Sequence, residues 1–126
     1  MDRVSFTLEF LFRASPTIVY KFLSTPDCLI RWFCDECKVV DQQYIFEWDG
    51  SEEIATVIED IENEKLKLEW EEFEGENEYL DFSLGRSEVT GETILEITAF
   101  CDEDELEQEQ QFWATQMKEL TRAAGG

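Results

Sequence analysis

The sequence contains no histidine. That absence removes Ser-His-Asp and Cys-His catalysis. It also limits any zinc site to cysteine and carboxylate ligands. Cations are scarce: 10 lysines and arginines stand against 31 acids, for a formal net charge of -21. A surface this negative repels phosphate backbones and anionic headgroups, so nucleic acid is not an expected partner. Apolar runs are short. No window approaches the roughly 18 consecutive apolar residues of a transmembrane helix, so membrane insertion is not expected. Asp2-Arg3-Val4-Ser5-Phe6 lacks a basic segment leading into an apolar one, so no secretory signal is expected. A cytoplasmic location with reduced thiols is the corresponding expectation for the four cysteines.

What is present suffices for a core. The chain has 126 residues, 43% hydrophobic and 13% aromatic. A chain of this size buries roughly two-thirds of its unfolded surface and needs no metal or disulfide staple. One domain over 1–126 is expected, with no repeat and no linker. The acids are spread along the whole chain, which reads as a solubilising coat. The sharper reading is steering toward a basic protein or a cationic ligand.

Val4, Phe6, Leu8, Phe10 and Phe12 alternate with Ser5, Thr7, Glu9 and Arg13, a period-two strand signal. Ser15-Pro16 and Thr25-Pro26 each place a capping residue before a proline, opening two short helices. The second of these carries Leu29, Ile30, Trp32 and Phe33. From Lys38 onward strands alternate with turns, and Asp49-Gly50 is a favoured two-residue hairpin. Later turns fall at Glu62-Asn63-Glu64, Gly75-Glu76-Asn77 and Thr90-Gly91. Asp102 is predicted as the N-cap of a long final helix, with Glu105 completing a capping box. Leu106, Phe112, Trp113, Met117 and Leu120 form its apolar stripe. The pattern predicts an α+β fold, with about six or seven antiparallel strands wrapped around that helix.

Pro16 to Leu23, Thr25 to Phe33 (ending Trp32-Phe33) and the hairpin Phe46-Glu47-Trp48-Asp49-Gly50 carry a family likeness. Together with Asp102 to Leu120, they resemble the helix-grip proteins of the START-like, birch-pollen-allergen-like (SRPBCC) superfamily. The similarity is to the neighbourhood of the heat-shock-protein-90 ATPase activator homologues. Many relatives have a glycine-rich turn before that hairpin, where this chain has Asp41-Gln42-Gln43. The resemblance implies a cavity between sheet and final helix, used by different members for lipids, hormones or polyketides. In some it is catalytic, and in the chaperone-activator branch the domain works through protein contacts.

Tyr44, Phe46, Trp48, Leu68, Trp70, Phe82, Trp113 and Met117 are the candidate cavity residues, and filling the core is their alternative role. Cys34-Asp35-Glu36-Cys37 has C-x-x-C spacing but no second pair, and it follows a helix beside two acids that raise a thiol pKa. Neither a metal nor another cofactor is expected, and no catalytic residue stands out. Three readings remain. A non-catalytic domain for an apolar or lipid-like small molecule is preferred. A protein-interaction module with a basic partner follows, and a cyclase-type enzyme comes last for want of histidine.

Overall fold

The computed structural model describes residues 2–125. Seven strands form one antiparallel sheet: β1 (Arg3–Phe12), β2 (Glu36–Val40), β3 (Gln43–Trp48), β4 (Ser51–Ile61), β5 (Lys65–Trp70), β6 (Leu80–Arg86) and β7 (Thr93–Asp102). Helices α1 (Pro16–Ser24) and α2 (Pro26–Leu29) follow β1, and α3 (Leu106–Ala124) closes the chain. The sheet order is β1-β7-β6-β5-β4-β3-β2. Strands two to seven are therefore a meander of sequential neighbours, while β1 returns to pair with β7 along its whole length, from Arg3 opposite Asp102 to Phe12 opposite Thr93.

The turns follow their residue chemistry. Asp49 and Gly50 both have positive φ, 49° and 83°, as the tight hairpin between β3 and β4 requires. The Ser15 hydroxyl accepts from the Ile18 N–H at 3.3 Å, capping α1 with Pro16 at its first position. Thr93 lies buried at the far end of β1 and donates its hydroxyl to the Ala14 carbonyl at 2.6 Å, fixing the exit of the strand.

Three local expectations differ from what forms. Thr25 stands at the N-cap of α2 but makes no side-chain capping hydrogen bond. The second helix ends at Leu29, and Ile30 to Phe33 make a turn in which the Phe33 and Cys34 N–H groups both donate to the Leu29 carbonyl. Asp102 does not cap α3 with its side chain. Glu103–Glu105 form a 3-10 turn first, and α3 begins at Leu106. The Asp102 carboxylate is drawn instead to Arg3, a full positive charge at 3.1 Å, which outcompetes neutral backbone donors.

The concave face of the sheet is the core. Phe6, Phe12, Phe46, Leu66, Leu68, Leu80, Phe82, Leu95 and Ile97 point into it and are buried, and α3 lays Trp113, Met117 and Leu120 against them. Trp32 and Phe33 enter from the turn after α2. The Trp32 indole donates to the Phe22 carbonyl at 2.8 Å, locking that turn onto α1.

Candidate ligand cavity

Burial along the inward faces is graded. On β3, Tyr44 and Phe46 are buried while Trp48 is half-exposed. On β5, Leu66 and Leu68 are buried while Trp70 is half-exposed. On α3, Leu120, Met117 and Trp113 are buried, and Phe112 is 42% exposed. The exposed ends of these elements meet at one place, beneath the first turns of α3, around a cavity of about 330 Å³.

Aromatic rings build its wall. Phe33 packs edge-on against Trp48 at 5.2 Å between centroids and stacks on Trp113 at 5.8 Å. Trp48 and Trp70 meet at 6.4 Å. The Trp48 indole donates to the Phe33 carbonyl at 2.6 Å, which fixes that ring's orientation. Leu80 and Ala99 contribute from the strands, and Phe73 and Phe112 close the sides.

The rest of the lining is charged. Glu53, Glu72, Glu78 and Glu109 are the carboxylates, and among the described residues Arg3 is the lone cation. Arg3 is already engaged. Its guanidinium donates to Glu78 at 2.7 Å and to Asp102 at 3.1 Å, and lies 4.2 Å above the Phe73 ring. Glu109 is half-buried in the first turn of α3, and burial raises its pKa, with Arg3 opposing the shift. Among the described residues it has no hydrogen-bond or ion-pair partner.

Of the eight residues nominated from the sequence, Trp48, Trp70 and Trp113 line this cavity. Tyr44, Phe46, Leu68, Phe82 and Met117 pack in the core beside it. Tyr44 donates its hydroxyl to the Ser24 carbonyl at 2.7 Å, and burial pushes its pKa up to about 12. Arg3, Phe33, Phe73, Glu109 and Phe112 were not nominated. Glu109 did carry a signal, for it interrupts the α3 stripe three residues after Leu106 and four before Trp113.

Among the described residues no three cysteines come together. Cys28, Cys34 and Cys101 are buried, and Cys37 is half-buried on β2. A hydrogen bond between the Cys34 and Cys37 thiols pushes Cys34 up, with burial adding to it, and draws Cys37 down. Among the described residues the metal-competent grouping is instead partly buried Asp102 with exposed Asp104 and Glu105, at the head of α3.

A family profile described as a START-like superfamily domain matches residues 1–126. The chain belongs to the START-like superfamily. A Bacteroides fragilis protein solved by NMR shares 29% identity over 97% of this chain and 91% of its own, with a TM-score of 0.68. The Aha1 dimer from Colwellia psychrerythraea shares 21% over 96% of both chains, with a TM-score of 0.82. An AHSA1-like protein from Aeromonas hydrophila shares 17%, covering 97% of this chain and 92% of that one, at a TM-score of 0.75. No curated protein matches. The likeness to the Aha1 and AHSA1-like structures carries the grip of sheet and helix. No helix among the described residues is long and apolar enough to cross a membrane.

Proposed function

We propose that this START-like domain binds an apolar small molecule, without covalent chemistry, in the cavity under the first turns of α3. The observation that carries the reading is the cavity: about 330 Å³, walled by Trp48, Trp70 and Trp113 and open at the rim where Phe112 is exposed. Cavities of this kind fall at the small end of the roughly 300–1,000 Å³ range of ligand sites. Three indoles facing one space make the site self-reporting. Native mass spectrometry of the purified protein should show a co-purifying adduct that organic solvent removes, and its release should shift the tryptophan emission. A protein that carries no adduct, and whose emission no apolar probe alters, does not use the cavity in this way.

A second reading is supported by charge. A net charge of -21 suits fast, salt-sensitive association with a basic protein. It predicts capture of a basic partner at low salt that is lost as salt rises, independently of cavity substitutions such as Trp70→Leu.

A further inference from the structure

Among the described residues every charged side chain lining the cavity but Arg3 is an acid, and Arg3 is spent. Arg3 donates from Nε and Nη2 to Glu78 and from Nη1 to Asp102, and covers Phe73 with its face. Glu53, Glu72 and Glu109 are left facing the space without an ion-pair partner among the described residues. The head of α3 contributes the positive end of a helix dipole, worth about half a unit charge. Glu103, Asp104, Glu105, Glu107 and Glu109 in the turns at that end outweigh it. A carboxylate-headed ligand such as a fatty acid would therefore enter against repulsion from the rim.

The same space favours a cation twice over. Half-buried Glu109 offers an unpaired carboxylate at the inner edge of the rim. The aromatic walls offer ring faces, which attract ammonium groups with about 0.5–2 kcal/mol, more as water is excluded. Arg3 over Phe73 at 4.2 Å shows that the cavity border already holds one cation in that manner. We infer that the ligand is an amphiphilic cation, its ammonium group held between Glu109 and the indoles of Trp48 and Trp70 and its apolar body lying against Leu80, Ala99 and Trp113. This rests on the cavity reading proposed above and names the chemical class of its occupant.

The decisive measurement compares octanoylcholine with its uncharged isostere, 3,3-dimethylbutyl octanoate, by tryptophan fluorescence titration of the full chain. Shape and apolar area are shared, so charge alone separates them. The cation should bind about tenfold more tightly, the equivalent of one cation–π contact plus one partly screened ion pair. Glu109→Gln should remove most of that preference and leave the isostere's affinity within about twofold. Glu62→Gln, which deletes the same charge from an exposed turn beyond the cavity, should leave the preference intact. Equal binding of the two probes overturns the inference while the cavity reading stands. A preference that Glu62→Gln weakens as much as Glu109→Gln overturns it too, since general attraction to an acidic protein would then explain the cation. Failure of both probes to bind overturns the inference and the cavity reading together.

Discussion

The two ends of the grip are built from the same strands and the same helix, yet one is filled and the other is not. At the filled end Phe46, Leu66, Leu68, Met117 and Leu120 are all buried, with Tyr44 tied to the Ser24 carbonyl. There α1 and the turn after α2 supply Val19, Phe22, Leu23 and Trp32 as a third layer. At the other end only Phe33 of that turn reaches Trp48, and carboxylates line the space beside Trp70. Stability is therefore expected to reside at the α1 end and recognition at the α3 head. The two tasks compete for the same apolar surface, and the placing of α1 and α2 divides them.

Truncation should separate the two ends most plainly. Phe46 is 1% exposed and touches Tyr44, Phe33, Trp48 and Trp70, so Phe46→Ala should cost about 3–5 kcal/mol in urea denaturation. Trp70→Ala removes a larger ring from the half-exposed end and should cost only about 1–2 kcal/mol, while abolishing probe binding. If Trp70→Ala proves the more destabilising of the two, the division of labour is wrong.

The boundary of the open end is held by charge. Arg3→Met would leave Glu78, whose side chain is 9% exposed, without its partner, and should cost about 1–3 kcal/mol. Adding Glu78→Gln should recover part of the loss. A double-mutant cycle in urea midpoints measures the coupling, and a value indistinguishable from zero would mean that Arg3 acts through Asp102 and its packing on Phe73 instead. A smaller effect is expected from Tyr44→Phe, which deletes the hydroxyl that reaches the Ser24 carbonyl. It should cost about 1 kcal/mol in thermal unfolding and leave ligand binding untouched.

These residues also mark where sequence reading succeeds and where it stops. Strand alternation, the Ser15-Pro16 cap and the Asp49-Gly50 turn are local, and each formed as its residue chemistry demands. The order of elements followed from them, and with it the sheet around a final helix. Which half of the inward stripe is filled was not legible. That depends on Phe33 stacking on Trp113, residues far apart in the chain whose meeting requires the whole fold. Asp102 looked like a helix cap because a cap is a local pattern, while its partner Arg3 lies across the sheet pairing of β1 and β7. Among 31 acids, Glu109 differs only by standing on the apolar stripe of α3.

Glu109 gives the smallest effect and the one whose sign is most informative. Burial raises its pKa in the folded protein. Between its unfolded and folded values the folded state then holds more protons than the unfolded state, so stability falls as pH rises through that window. Above it the ionised carboxylate carries the full desolvation cost, and below it the group is neutral in both states. Glu109→Gln should therefore stabilise the ligand-free protein at neutral pH, and the gain should vanish in acid. Much of the side chain still meets water, so screening limits the gain to a few tenths of a kcal/mol. Glu62→Gln again serves to subtract the general relief of negative charge. Bound cation should reverse the order, because the carboxylate that costs stability in the empty cavity then has its partner. Thermal melts of wild type and Glu109→Gln, with and without octanoylcholine, across the acid-to-neutral range test this. If Glu109→Gln is no more stable than wild type at neutral pH, then the carboxylate is already satisfied by solvent, and the open end holds no electrostatic demand for a ligand to meet.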